Sequence, residues 1–242
     1  MSFTILFNSR GRVPMLKQML SRIQNTTYDL DNIEVLINID DDDTESVNIV
    51  EEFEEEFEFV KFLINPRELN IHKHVNIMAD MAQGKYIWAL GDDCHIITMH
   101  WDKIAKDKLD SYLLDKPDGI VLGAVDSTSV DKEVGKSTGW YCDAPILTSK
   151  GRDALGYLIH PHFISLGADV VTFKIYKGVD RIVDLREIVF DHITHNTIEK
   201  VINPDQTAAE YRSRQRQHQN VDPHSYNCNS EINILRSVIN ES

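Results

Sequence analysis

Cysteine, basic charge and long apolar runs are all scarce in this sequence, and each scarcity removes a class of function. Only three cysteines occur in 242 residues, Cys94, Cys142 and Cys228. They are odd in number, far apart and without a C-x-x-C pair, so neither a disulfide framework nor a zinc site is indicated, and a reducing compartment fits best. Lysine and arginine number 25 against 39 acids, for a formal charge of -14. That balance argues against a general polyanion-binding surface, because non-specific nucleic-acid affinity comes from phosphate neutralisation. No apolar stretch approaches the roughly 18 residues needed to span a bilayer. The opening Met1-Ser-Phe-Thr-Ile-Leu-Phe-Asn8 has no basic segment ahead of its short apolar run. A soluble, cytoplasmic protein is expected.

What is present is an apolar content of 42%, enough for one large α/β domain with its own core. The organising stretch is Gly84-Lys-Tyr-Ile-Trp-Ala-Leu-Gly-Asp-Asp-Cys94. Tyr86 to Leu90 has the length and the aromatic and branched content of a buried strand, and Gly84 and Gly91 punctuate its ends. It runs straight into Asp92 and Asp93. Ionised carboxylates are costly to bury, so such a pair belongs at a strand's open end, facing water, a cation or a ligand hydroxyl. Cys94 reads as a small buried apolar residue.

Other segments repeat the arrangement. A strand over 2–7 leads into the polar loop Asn8-Ser-Arg-Gly-Arg-Val-Pro14, with Pro14 suited to the first turn of a helix carrying Leu16, Leu20 and Ile23. A second strand over 33–39 ends in Asp40-Asp-Asp-Asp-Thr44, where Asp42 and Asp43 read as a solvated turn; the glutamate-rich stretch to Glu58 reads as an acidic amphipathic surface helix. A third strand over 60–64 and a helix over 71–82 precede the organising stretch, and a helix from Trp101 and a strand over 119–124 follow it. Strands alternating with helices predict βαβ units and a mostly parallel sheet, whose ligands bind beyond the carboxyl ends of its strands.

Beyond this half the sequence turns polar from 126 to 139, a surface loop or lid. A strand over 140–147, a helix over 149–158, a helix begun by Asp169 and ended by Gly178, and a strand over 181–190 reaching Asp191-His-Ile-Thr-His195 follow. A helix over 205–219 carries Arg212, Arg214 and Arg216, and the tail beyond Asn220 shows little pattern.

With these segments aligned, the chain resembles the family 2 glycosyltransferases of the GT-A, Rossmann-like fold, and in particular their small phage and bacterial members. The first loop 8–14, Asp40-Asp41 after the second strand, the spacing of Asn76, Ala82 and Gly84, and Gly91-Asp92-Asp93 in place of a D-x-D motif carry the likeness. Asp169 before a helix and Asp191-His192 after the last strand extend it. The resemblance implies a single GT-A domain with a nucleotide-sugar-binding half (1–125), a smaller acceptor-side half (126–205) and a C-terminal helix and tail (206–242). It implies transfer of a sugar from a nucleotide-diphosphate donor, a UDP-sugar first among them, to a glycan or modified-base acceptor, in host cytoplasm if the source is viral.

The resemblance also assigns roles. Asp92 contacts the ribose, and Asp93 holds Mn²⁺ or Mg²⁺ with His192, His195 being the fallback ligand; a divalent cation neutralises the leaving diphosphate, and manganese accepts imidazole more readily than magnesium. Asp40 and Asp41 meet the nucleoside. Arg10 and Arg12, in the loop begun by Ser9, pair with the diphosphate, with Lys73 and Lys200 as further candidates. Asp169 is the base of an inverting transfer, and is also read as an N-cap. Trp140 and Tyr141 could stack on the acceptor or be core aromatics. The motif here is Gly-Asp-Asp and not three acids, which leaves the ribose to Asp92 alone.

Three other classes share some of these features. A nucleotidyltransferase would want a glycine-rich triphosphate cradle, and Ser9-Arg-Gly-Arg12 offers one glycine. A non-catalytic sugar-nucleotide or carbohydrate-binding domain would bind without turnover, and a metal-dependent hydrolase would release free sugar without an acceptor.

Overall fold

The computed structural model describes residues 1–68, 70–128, 142–164, 167–193 and 222–242. Trp140, Tyr141, His195, Lys200 and the helix expected over 205–219 lie outside these. In chain order the elements are β1 (Phe3–Ser9), α1 (Val13–Thr26), β2 (Ile33–Asp40), α2 (Thr44–Asn48), α3 (Val50–Glu56), β3 (Val60–Asn65), α4 (Ile71–Met81), β4 (Tyr86–Ala89), β5 (Cys94–Ile96), α5 (Trp101–Leu113), β6 (Leu122–Ser127), β7 (Ile146–Thr148), α6 (Ser149–Leu155), α7 (Ala168–Lys177), β8 (Ile182–His192) and α8 (Asn229–Glu241).

One eight-stranded sheet joins both halves of the chain, in the order β3-β2-β1-β4-β7-β6-β8-β5. β3, β2, β1 and β4 are mutually parallel, as are β6 and β8, whereas β7 and β5 run the other way. The side-chain period of two sends Phe3, Ile5, Phe7, Val35, Ile37 and Trp88 to one face, where α1, α3 and α5 cover them. Leu6, Leu36 and Ile87 face the other side, against α4, α7 and α8. Both sheet faces are thus covered, which is why these strands read as near-continuous apolar runs.

Close backbone approach fixes one joint of this frame. A Cβ on Gly84 would stand 2.5 Å from Thr4 N and 2.6 Å from Phe3 C. The buried Glu34 carboxylate accepts from Thr4 Oγ1 and from Gln83 N, tying β1, β2 and the entry to β4 together.

Several boundaries differ from the sequence reading. β6 begins at Leu122 and not at Gly119, because Gly119 has φ +67° and Asp118 accepts from Ile120 N in a turn. Asp126 and Ser127, read as loop, close that strand. β8 continues through Asp191 and His192 because β5, a three-residue strand not foreseen, pairs with it: Cys94 lies opposite His192 and His95 opposite Asp191. The acidic stretch forms two short helices, α2 and α3. Gly167 at φ 85° is the N-cap of α7, so Asp169 is the second helical residue and not the cap. The tail read as unpatterned contains α8, anchored by the fully buried Leu235.

Candidate active site

The strand directions decide which residues meet. The carboxyl ends of β1, β2, β4, β6 and β8 and the starts of the reversed β5 and β7 share one sheet edge. Ser9, Asp40, Asp92, Asp93, Ser127 and His192 are all delivered there. So are Cys94, at the start of β5, and Asp143, three residues before β7. Helix α7 passes through a four-residue turn into the far end of β8, so its own beginning, with Asp169, also points to this edge.

Asp92 is only 4% exposed, and both of its oxygens are engaged. Ser9 Oγ donates to Oδ2 at 2.8 Å, and Arg12 Nη1 donates to Oδ1 at 2.7 Å. Burial pushes its carboxyl up to about 6, the Arg12 guanidinium pulls it down, and the neighbouring Asp93 charge pushes it up again. Arg12 also lies 3.5 Å from Asp93 Oδ2. Arg12 therefore rests on the acid pair.

Asp93 presents its other oxygen to a different set of donors. Cys94 Sγ lies 3.7 Å and His192 Nε2 3.9 Å from Oδ1. Ligand atoms of Asp93, Cys94 and His192 all fall within 4.8 Å of one another. A carboxylate and an imidazole at this spacing could hold a divalent ion, the imidazole being accepted more readily by manganese than by magnesium, while burial keeps the Cys94 thiol protonated. Two backbone facts set the geometry: the Cys94–His192 register, and Ile193 N donating to Asp93 O at 2.9 Å. Gly91 completes it, since a Cβ there would collide with Asp93 Oδ1. Cys94 is buried, as its apolar reading required, yet its sulfur is one of the three grouped ligand atoms.

The β1 and β2 exits are laced to each other. Arg10 pairs with Asp40 at 3.2 Å and with Asp42, both of whose oxygens it contacts. Burial raises Asp40, with Arg10 opposing it. Asp43, read as solvated turn, is instead buried; it accepts from Gly11 N at 2.7 Å and from Ser46 N at the start of α2. Asp41 is exposed at the mouth. Lys73 pairs with Glu68 at the surface.

On the acceptor side the sequence reading missed Asp143. It accepts from Ser127 Oγ at 2.6 Å, and its charge is felt by Asp169. Burial is the main cause that pushes Asp169 up to about 6; backbone N–H groups at the start of α7 oppose this, and Asp143 adds to it. A carboxylate poised near neutrality at this sheet edge is able to accept a proton near neutral pH.

Sequence comparison supplies the family. The sequence model described as glycosyl transferase family 2 matches residues 3–168. This chain belongs to glycosyl transferase family 2. No curated protein matches this family 2 chain in sequence. Among solved structures it is similar to S. aureus TarS, with TM-score 0.63, 14% identity, 99% of this chain covered and 43% of TarS. It is also similar to TarS 1–349 in complex with UDP, with TM-score 0.64, 12% identity and coverages of 93% and 74%. A third similar structure is the mannosyltransferase PcManGT from Pyrobaculum calidifontis in complex with GDP-Man and Mn²⁺, with TM-score 0.60, 14% identity and coverages of 90% and 61%. The chain thus spans less than half the length of that TarS chain. At these identities the likeness establishes the fold, and it is the GT-A fold that the motifs implied. No helix among the described residues is long and apolar enough to cross a membrane.

Proposed function

We propose that this family 2 chain is a metal-dependent, inverting glycosyltransferase acting as one domain on a nucleotide-diphosphate sugar. The observation that carries this is the meeting, at one sheet edge, of the Asp93, Cys94 and His192 donor set with the Arg10–Asp40 loop and the raised carboxyl of Asp169. Structures of similar fold bind UDP, UDP-GlcNAc or GDP-Man with Mn²⁺, which supports a nucleotide-sugar donor, and we take UDP-sugars as the first class to try.

Asp93 and His192 would hold the cation, which when bound neutralises charge on the leaving diphosphate. Asp40 and Asp41 receive the nucleoside, Arg10 orders their loop, and Ser9 orients Asp92. In the present structure each Asp92 oxygen accepts one hydrogen bond, from Ser9 and from Arg12, and a carboxylate has acceptor sites left for a ribose hydroxyl. Asp169 accepts the proton of the acceptor hydroxyl as that oxygen bonds to the anomeric carbon. The bond from that carbon to the diphosphate oxygen breaks on the opposite face, and the diphosphate leaves with the electron pair. Trp140 and Tyr141 are kept as acceptor contacts, His195 as the fallback metal ligand, and Lys73 and Lys200 as further diphosphate contacts. Three buried, unpaired cysteines favour a cytoplasmic setting.

The test is release of nucleoside diphosphate from a panel of sugar nucleotides, with Mn²⁺, Mg²⁺ or chelator, and with and without glycan and modified-base acceptors. Metal-dependent release that rises with acceptor is expected. Release indifferent to chelator, or absent across the panel, would sink the reading.

A further inference from the structure

Arg12 immediately precedes α1, in the loop where an arginine awaiting a phosphate would extend toward solvent. Its side chain is instead 17% exposed and turned inward onto Asp92 Oδ1 and Asp93 Oδ2. Its Nε, sealed from water, has no partner, although a buried guanidinium N–H is costly to leave unpaired. Asp93 meanwhile offers its other oxygen to His192 and Cys94. One carboxylate therefore faces two cation positions, one of them filled by the protein's own guanidinium.

We propose that Arg12 is a built-in stand-in for the divalent ion. It neutralises Asp92 and Asp93 while no donor is bound, and moves to the donor's diphosphate when one arrives. The proposal rests on the reading of Asp93 and His192 as cation ligands. Two adjacent, mostly buried carboxylates repel each other, and Arg12 relieves that repulsion. A guanidinium and a divalent cation sharing one carboxylate repel in turn, so Arg12 opposes binding of the metal alone. A diphosphate gives the displaced guanidinium paired acceptors, including one for Nε. Arg10 is engaged elsewhere, paired with Asp40 and Asp42. The consequence is reciprocal coupling: the metal binds weakly by itself, and nucleotide diphosphate strengthens it.

The experiment titrates Mn²⁺ into the full chain with and without UDP, following free Mn²⁺ by electron paramagnetic resonance, for wild type, Arg12→Gln and Asp93→Asn. Without UDP, Arg12→Gln should bind Mn²⁺ about tenfold tighter or more, and the gain produced by UDP should shrink by a similar factor. Affinity equal to or below wild type with an unchanged UDP gain overturns the proposal. Asp93→Asn separates the two levels. If it retains wild-type Mn²⁺ binding, the cation site itself is misassigned; if it loses binding while Arg12→Gln stays unchanged, only the role of Arg12 falls. Should Arg12→Gln fail to fold, Arg12→Lys keeps the charge without the paired N–H groups. It should hold Mn²⁺ affinity within about threefold of wild type and lose most of the UDP gain, and an unchanged gain overturns the idea.

Discussion

Replacing Asp169 with asparagine should slow turnover sharply and stabilise the protein, and both effects follow from the same half-buried carboxyl. In the folded chain Asp169 ionises at about 6, against an ordinary value of 3.8. Between those values the folded state holds its proton while the unfolded state has lost it, so stability falls as pH rises through this window and levels off above it. At about 1.4 kcal/mol per pH unit, the raised Asp169 carboxyl costs the fold up to about 3 kcal/mol at pH 7 and under about 1 kcal/mol at pH 4. Asparagine removes that cost, so the variant should melt about 3–10 °C above wild type at pH 7, with the difference nearly gone at pH 4. Asp92, also raised, is present in both proteins and cancels in the comparison. Thermal melts at the two pH values give the stability side. For activity, kcat should fall by about 10²–10⁴, and the wild-type rate should climb through an acid limb near pH 6, because the ionised form is the base. A variant that melts lower at pH 7, or that keeps its turnover, refutes the reasoning.

Glycine substitutions give opposite outcomes at the two ends of β4. Gly91→Ala pushes only the movable Asp93 side chain, so Mn²⁺ affinity should drop by about tenfold or more while the melting temperature changes by less than about 2 °C. Gly84→Ala drives a Cβ into the backbone of Phe3 and Thr4, and should cost about 2–3 kcal/mol in a urea melt without altering metal affinity in the protein that remains folded. Leu235→Ala should cost about 2–4 kcal/mol, since α8 closes one face of the core; a loss under about 1 kcal/mol would detach that helix from the fold.

The parallel part of the sheet was legible because its strands are apolar on both faces and end in polar clusters. A rule that looks for polar groups at strand exits picks out Asp40, Asp92, Asp93 and His192, and the fold brings these four to one sheet edge. The same rule hid Cys94 and Asp143. β5 and β7 run against their neighbours, so their entrances reach the functional edge, and a residue at an entrance carries no such mark. β5 and β7, at three residues each, are also too short to show a period of two. α8 was visible in the spacing of Ile232, Leu235, Val238 and Ile239 and went unread because its flanks are polar. The inward turn of Arg12 depends on residues 80 positions away, which no local pattern encodes.

The central claim is that the β4 exit holds a divalent cation and, through it, a nucleotide diphosphate. Calorimetric titration of UDP into the full chain, with Mn²⁺ and with chelator, for wild type and Asp93→Asn, tests it most directly. The account predicts UDP binding that weakens by about tenfold or more on chelation and equally in the Asp93→Asn protein with metal present. UDP binding of the same strength in all three conditions, or none in any, would contradict it.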